Sequence, residues 1–410
     1  MKDRVLKAVV PIWDAQLVQL RALGTAEALL LIGALGFGAL VRYPLLEFKS
    51  ADFLNSLKPW YVTIRELGFS AFATDFSTYN PPYLYELYLI ARYFPDIPNL
   101  LAIKIPSLIG DFIGAYFVYC VARRKYPQGL AASLATFTFL MAPTVVLNSA
   151  FWGQADILYA APLIACLLFL MRRRNSLAML AFGIALAFKL QAIFLAPLLL
   201  GLLLRGDLTF RQLLLVPVVL LAALVPAAIA GRPIPDLLLV YVSQAKQYQL
   251  LQMSAATAYA WLPDFGLTQR FFTFAGVVFA ASLGFALSIL IYRTRASISD
   301  GLLLKLALLC CVLVPFFLPK MHDRYYYAAD VLAILFAFYF PRYFFVPVIV
   351  ILASFFAYQP TLFSAEPVPM SILAGGVFVA LAVVARDALA SLLATEPGPD
   401  PASAAVESHA

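Results

Sequence analysis

Apolar segments of about 20 residues, separated by short polar segments, recur along most of this chain of 410 residues. A run of that length is typical of a membrane-spanning helix, and the short Lys and Arg clusters between the runs mark cytoplasmic loops. The pattern predicts an all-α polytopic membrane protein with about twelve spans and both chain ends in the cytoplasm. The predicted spans are residues 24–42, 100–122, 127–147, 153–171, 175–189, 191–204, 208–230, 272–292, 301–318, 325–341, 343–361 and 370–386.

Residues 43–99 are predicted to form one long exoplasmic loop, called the first loop below. The basic residues Lys7 and Arg123 both indicate the cytoplasmic side, so an even number of spans must separate them. The apolar segment 83–94 is only about 12 residues long, which is too short to cross a bilayer. This segment is therefore expected to lie at the outer surface, within the loop that joins the first two spans.

Two helices are predicted in the first loop. Apolar residues recur at helical spacing from Phe53 to Leu67, with Pro59 where a helix restarts and Gly68 where it ends. A second apolar face follows Pro82, a good helix-starting residue. We expect both juxtamembrane helices to place their apolar faces among the lipid headgroups and to form the rim of a cavity open to lipid and water.

The pattern divides the chain into one transmembrane domain, residues 1–390, and a tail, residues 391–410. Within the domain, residues 1–22 are predicted to form an amphipathic helix on the cytoplasmic surface. Residues 231–266 are predicted to form a second exoplasmic loop. The tail has no apolar pattern and is predicted to be disordered in the cytoplasm.

Composition excludes several classes of protein. Hydrophobic residues make up 63% of the chain and charged residues 12%, and the mean hydropathy is +0.88, whereas soluble domains are about one quarter charged. The net charge of +7 follows from the basic cytoplasmic loops, so no nucleic-acid partner is expected. All four cysteines lie in apolar runs and are predicted to be core residues. With two histidines and no nucleotide-binding motif, neither a His-rich metal site nor a nucleotide site is expected.

Polar residues at the predicted outer ends of spans are the candidate functional groups. Asp52 stands out because it begins the polar first loop beside aromatic residues. Ionisable groups at a membrane boundary are costly and are therefore functional candidates. The basic residues in this set lie on the predicted outer side, although Lys and Arg otherwise mark the cytoplasmic loops. The phosphate of a lipid substrate would explain their position. The other members are Lys104, Asp111, Gln154, Asp156, Lys189, Gln191, Lys320, His322, Asp323 and Arg324.

The same residues could instead have purely structural roles. Lys104 could extend its amine to the headgroups, and Asp111 could simply pair with Lys104. Gln154 could hydrogen-bond a neighbouring helix. Asp52 could be an ordinary acid in the first turn of a helix.

The order of these motifs resembles that of GT-C glycosyltransferases, which use polyprenyl-phosphate sugars. The chain is most similar to the bacterial proteins related to GPI mannosyltransferase II, and it also resembles the dolichyl-phosphate-glucose glucosyltransferases. The matching segments run through most of the chain in the family's order. They are Asp52 with Trp60, Tyr79-Asn80-Pro81-Pro82-Tyr83, Lys104 with Asp111, Phe151-Trp152-Gly153-Gln154-Ala155-Asp156, Phe188-Lys189-Leu190-Gln191 and Pro319-Lys320-Met321-His322-Asp323-Arg324-Tyr325.

The resemblance implies that Asp52 is the general base and that His322 and neighbouring cations hold the donor phosphate. The expected phosphate-binding residues are Lys104, Lys189, Lys320, His322 and Arg324. The expected sugar- or acceptor-binding residues are Trp60, Tyr79, Asn80, Asp111, Gln154, Asp156 and Gln191. The glucosyltransferases carry His-Glu-Lys where this chain has His322-Asp323-Arg324, so the motif leaves mannose and glucose both open.

The expected reaction is an inverting transfer of a hexose from a polyprenyl-phosphate donor to a lipid- or glycan-linked acceptor hydroxyl. A carboxylate removes the acceptor proton, and cations stabilise the phosphate leaving group. No cofactor is required, although a divalent metal is not excluded. The expected location is a bacterial plasma membrane, with the active site on the exoplasmic side and membrane lipids as partners.

Two other functions remain open at this point. A secondary transporter or lipid flippase would also carry charged groups in its spans, but around a midplane site. A non-catalytic subunit of a membrane assembly is the third possibility.

Overall fold

The computed structural model describes residues 24–242, 250–262 and 269–394. The predicted helix 1–22, most of the predicted tail 391–410 and parts of the predicted loop 231–266 lie outside these ranges. In the described ranges the chain is almost wholly helical. The helices are α1 Thr25–Arg42, α2 Lys58–Leu67, α3 Pro81–Tyr93, α4 Asn99–Lys125, α5 Ala131–Met141, α6 Pro143–Val146, α7 Ile157–Met171, α8 Asn175–Phe188, α9 Ala196–Arg205, α10 Phe210–Leu213, α11 Leu215–Ala230, α12 Ile234–Leu238, α13 Gln269–Arg293, α14 Asp300–Phe317, α15 Tyr327–Tyr339, α16 Phe345–Phe363 and α17 Met370–Leu393.

Shorter elements join these helices. The described ranges contain π-helical turns at Phe53–Leu57 and Leu147–Trp152 and the strands β1 Gln252–Met253 and β2 Met321–His322. The 3₁₀ turns are Tyr43–Leu45, Gly68–Ala73, Leu190–Leu195, Ala258–Trp261 and Pro341–Tyr343.

Seven helical segments of the described residues are long and apolar enough to cross a membrane, or eight if the bent pair of Ala131–Met141 and Pro143–Trp152 is one span. Four further apolar helices are shorter: Ile157–Met171, Asn175–Phe188, Leu190–Arg205 and Tyr327–Tyr339. The polytopic helical class agrees with the prediction. The count of twelve crossings stays a prediction, because these four helices are shorter than the about 20 residues that a full span needs.

The two predicted first-loop helices are present as α2 and α3. Pro59 lies in the first turn of α2, and Gly68 ends that helix with a φ of 59°, a conformation that glycine adopts at little cost. The expectation that their apolar faces enter the lipid headgroups is wrong. Phe53, Ile64 and Leu87 are 4%, 1% and 0% exposed because these faces pack into the protein core.

A buried polar contact fixes the start of the first loop to the helix bundle. Arg42, the last residue of α1, places its Nε 2.8 Å from Asp111 Oδ2 in α4. Ser149 Oγ donates to the same carboxylate at 2.5 Å, and all three side chains are buried. Of the alternatives left open for Asp111, a pairing with Lys104 is not observed, because Arg42 is the partner.

The segments 250–262 and 318–326 are joined by a two-stranded parallel sheet. Met253 of β1 is the partner of His322 in β2, and the Lys320 N–H donates to Leu251 O at 2.6 Å. Tyr326 Oη adds a hydrogen bond to Ala256 O at 3.1 Å. The segment that carries His322 is thus held against the second predicted outer loop.

Close helix packing around Gly201 gives a test of the bundle. A Cβ added at Gly201 in α9 would lie 2.7 Å from Ile291 Cβ in α13, and Ile291 is fully buried. We expect Gly201→Ala to lower the free energy of unfolding by about 1–3 kcal/mol, because the helices must separate. Thermal unfolding in detergent measures this. Gly33→Ala in α1 is the matched control, since no atom lies within 4 Å of the added Cβ; an equal loss in both variants would contradict the packing.

Candidate active site

Asp52 lies at the start of the first π-helical turn, with its side chain 35% exposed. Its Oδ2 accepts hydrogen bonds from Trp152 Nε1 at 2.9 Å and Gln154 Nε2 at 2.6 Å. In the described part of the chain, no hydrogen bond engages the other oxygen, Oδ1. Two donors therefore orient the carboxylate through one oxygen and leave the second one open.

The local backbone explains how Trp152 and Gln154 reach Asp52. The second π-helical turn ends at Gly153, whose φ of 82° turns the chain sharply. The Gln154 N–H closes this turn on Asn148 O at 2.8 Å. Ser50 Oγ donates to Trp152 O at 2.8 Å, so the turn and the segment before Asp52 are tied together.

Asp156 forms the buried centre of the site. Its side chain is 0% exposed at the N-terminus of α7. Lys189 Nζ lies 2.6 Å from Oδ1, and Asn148 Nδ2 donates to Oδ2 at 2.8 Å. A buried carboxylate is stable only when it is paired in this way, and the pair joins α7 to the break after α8.

Arg324 bridges the buried and the exposed carboxylates. Its Nη1 lies 3.5 Å from Asp52 Oδ2 and its Nε lies 3.6 Å from Asp156 Oδ2. The guanidinium carbon lies 5.0 Å from the centre of the Trp152 ring, a favourable cation–π distance. The buried Nε makes no hydrogen bond with any described residue.

Asp323 supports Arg324 from the side. Its Oδ1 accepts from the Arg324 backbone N–H at 2.9 Å, and its Oδ2 accepts from Thr361 Oγ1 at 2.5 Å. Burial raises the pKa of Asp323 to about 6, against the lowering effect of Arg324 and Thr361. This contact fixes the segment after β2 to α16.

His322 differs from its expected role as a cation. Burial lowers its pKa to about 3, and the positive charges of Arg324 and Lys189 add to the effect. The imidazole is therefore neutral near pH 7, and it can bind a phosphate by donating an N–H rather than by its charge. The ring centre lies 5.0 Å from that of Tyr325.

Aromatic residues of the first loop form one wall of the site. The rings of Trp60 and Tyr79 have centroids 5.1 Å apart. Tyr79 Oη donates to Gln154 Oε1 at 3.0 Å, and Lys189 Nζ lies 5.3 Å from the Tyr79 ring centre. Asn80 is buried and donates to Ala187 O at 2.5 Å, which anchors this wall to the end of α8.

Two of the predicted residues have other partners. The amine of Lys104 donates to the carbonyls of Leu45, Leu46 and Phe48 at 3.3, 2.9 and 2.9 Å, and the residue is 1% exposed. This arrangement argues against a phosphate-binding role, because all three protons have acceptors. Asp111 belongs to the Arg42 contact described above.

The remaining predicted residues are close in sequence to members of the cluster. Lys320 is partly buried at the start of β2 with a φ of 62°, and Gln191 is partly buried in the 3₁₀ turn after Lys189. No group of three metal-ligating side chains occurs within residues 24–242, 250–262 and 269–394. A reaction without a cofactor stays a prediction.

Sequence reasoning missed four supporting residues. Asn148 binds Asp156, Thr361 binds Asp323, and Ser50 and Ser107 bind the backbone of the turn that carries Trp152 and Gln154. Small polar residues are common in membrane helices as interhelical contacts. Their positions in the sequence therefore gave no separate signal of function.

Comparisons with known proteins bear on the fold. Neither a protein-family model nor a curated protein matches the chain. The structure is similar to that of ArnT from Cupriavidus metallidurans bound to undecaprenyl phosphate, with a TM-score of 0.55 and 16% identity over 90% of this chain and 74% of ArnT. ArnT in the apo state gives a TM-score of 0.52 and 17% identity over the same shares. ArnT is a GT-C glycosyltransferase.

The chain has a GT-C fold. The resemblance that the motifs carried is thus confirmed at the level of the fold. At 16–17% identity, the likeness to ArnT shows the fold alone, and the activity is proposed below from the site.

The neutral state of His322 predicts a pH dependence of stability. The unfolded imidazole binds a proton below about pH 6.5, whereas the folded one does so only near 3. Stability from this group is therefore full above about pH 6.5 and is lost as the pH falls toward 3. Relative to His322→Gln, wild type should lose about 2 kcal/mol between about pH 7 and pH 5.

Thermal unfolding of both proteins across this pH range measures the difference. The only other histidine of the chain, His409, provides the control, and His409→Gln should follow the wild-type profile. Parallel profiles for wild type and His322→Gln would show that the imidazole is as easily protonated in the folded state as in the unfolded state.

Proposed function

We propose that this protein is an integral membrane glycosyltransferase that moves a hexose, mannose or glucose, from a polyprenyl-phosphate donor to an acceptor hydroxyl. The transfer inverts the sugar and occurs on the exoplasmic face of a bacterial plasma membrane. The observation that carries this proposal is the pairing of a half-open carboxylate, Asp52, with the cation Arg324 at 3.5 Å. The reaction needs a base and a cation, and Asp52 and Arg324 are close enough for one bound substrate pair to contact both.

Asp52 is suited to act as the general base. An acceptor hydroxyl is a weak nucleophile until its proton is removed, and a positioned base contributes roughly 10²–10⁴-fold in rate. The bonds from Trp152 and Gln154 to Oδ2 fix the carboxylate, while Oδ1 accepts no hydrogen bond from any described residue. A preorganised carboxylate with a free oxygen can accept that proton without first breaking a contact.

The cations beyond Asp52 are suited to hold the donor phosphate. Arg324 offers its guanidinium, Lys189 lies on the same carboxylate as Arg324, and His322 lies on the nearby strand β2 with Lys320 just before it. Fixed charges and N–H groups stabilise a developing anion without reorganising. A phosphate is already a good leaving group, so one carboxylate and these donors suffice.

The donor class is supported by the fold. ArnT, whose structure is similar, was solved with bound undecaprenyl phosphate, and we extend a polyprenyl-phosphate donor to this chain. Trp60, Tyr79, Gln154 and Gln191 border the cluster and are proposed to contact the sugar or the acceptor, with Asn80 and Asp156 behind them. The acceptor is proposed to be lipid- or glycan-linked, and membrane lipids complete the partners.

A secondary transporter or flippase is the weaker candidate. Its charges are expected around a midplane site in discontinuous helices, whereas the cluster around Asp52 lies between helix ends and the first loop. The comparisons do not favour transport either.

Removal of the base is the main test. Asp52→Asn keeps the acceptor oxygen for Trp152 and Gln154 but cannot take a proton, so we expect kcat to fall roughly 10²–10⁴-fold. The measurement is the initial rate of sugar transfer in detergent with total lipid extract, at equal amounts of folded protein. Asp96→Asn is the matched control, because Asp96 is an exposed acid of the same loop. Wild-type transfer by Asp52→Asn would rule out Asp52 as the base.

Replacement of the bridging cation tests donor binding. Arg324→Lys keeps the charge but loses the planar fork that spans Asp52 and Asp156. We expect kcat/KM for the lipid donor to fall at least about tenfold, through both kcat and the donor KM, with little change in the KM of the acceptor. Arg342→Lys is the control, since Arg342 pairs with Asp387 outside the site. An effect confined to the acceptor KM would contradict a phosphate-binding role.

A further inference from the structure

An apolar groove with a cavity of about 470 Å³ lies between α3, α4 and α7. This volume is within the range of ligand-binding cavities. Ile105, Ile109 and Ile113 form its α4 side at a spacing of four residues, which places them on one helix face. Ile109 and Ile113 are 56% and 48% exposed, so the groove is open to its surroundings along this face.

One acidic residue, Glu86 of α3, lines this otherwise apolar groove. Its Oε2 is buried and accepts no hydrogen bond from any described residue. Burial raises the pKa of Glu86 to about 7. A buried carboxyl oxygen without a partner is costly, and α3 belongs to the first loop, where the headgroups of the outer leaflet are expected.

The isoleucine face of α4 and the carboxyl of Glu86 together indicate which kind of ligand the groove binds. The isoleucine face matches a hydrocarbon chain, and the Glu86 carboxyl, whose Oε2 has no hydrogen-bond partner among the described residues, matches a group that donates N–H bonds and carries positive charge. Anionic lipids do not fit, because their phosphate would face a carboxyl group without a second charge to balance it. The same argument excludes the phosphate end of the proposed donor from this position.

We propose that this groove is a binding site for a membrane lipid with a primary ammonium headgroup, whose hydrocarbon chain lies along α4 and whose ammonium donates to Glu86. Phosphatidylethanolamine has this chemistry. The site is separate from the Asp52 cluster and does not depend on the proposed transferase reaction. The groove is nevertheless close to that cluster. Gly110 lines the groove and packs against Ile157, since an added Cβ would lie 2.7 Å from Ile157 Cγ2, and Ile157 directly follows Asp156.

Native mass spectrometry of the full chain tests this site. The protein is exchanged into mixed micelles with equal amounts of phosphatidylethanolamine, phosphatidylcholine and phosphatidylglycerol of identical chains. Wild type should retain one phosphatidylethanolamine preferentially, and Glu86→Gln should lose at least about tenfold of that preference. Glu66→Gln is the matched control, because Glu66 is an exposed acid of the same loop and its change removes the same charge.

A second variant separates the chain from the headgroup. Ile109→Trp fills the groove and leaves Glu86 in place, so retention of the lipid should fall although the charge is unchanged. Equal retention of the ethanolamine and choline lipids by wild type would overturn the proposal, because choline has no N–H to donate. Preference for phosphatidylglycerol, or an unchanged preference in Glu86→Gln, would overturn it as well. The comparison of lipids on wild type needs no variant to fold.

Discussion

The buried carboxylate of Asp156 is the constraint on which the site depends. An ionised group with 0% exposure costs several kcal/mol in solvation unless cations and hydrogen-bond donors replace the water. Lys189, Asn148 and Arg324 provide that replacement, and each comes from a different segment of the chain. Once Asp156 is satisfied, the break after α8, the π-helical turn before Gly153 and the segment after β2 have fixed positions.

Asp52 obtains its surroundings from this arrangement. Arg324 is held by Asp156 and Asp323 and can therefore lie beside Asp52, while Trp152 contacts both Asp52 and Arg324. The buried acid thus has a structural role, and the half-exposed acid is left with one open oxygen. Asp156 and Asp52 carry the same carboxylate group, but only Asp52 is accessible to water. This difference in burial gives the two residues different roles within one site.

The sequence was sufficient for the class of fold and for the order of the polar motifs. Apolar run length predicts membrane helices because the bilayer sets their length, and Pro59, Gly68 and Pro82 mark local backbone events that need no tertiary contact. Partners were less predictable. Arg42 binds Asp111, and Lys104 binds three backbone carbonyls, because helix packing decides which buried charges meet. The first-loop helices were expected to face lipid, since an amphipathic face has the same pattern whether it packs on headgroups or on protein.

A direct transfer assay tests whether the sugar comes from a lipid phosphate. Purified wild-type protein is supplied in parallel with radiolabelled polyprenyl-phosphate mannose, polyprenyl-phosphate glucose and the corresponding nucleotide sugars, together with total lipid extract. We expect labelled product from one of the two lipid donors and none from the nucleotide sugars. Product from a nucleotide sugar would contradict this expectation, because that donor would need a different site from the cluster around Asp52 and Arg324.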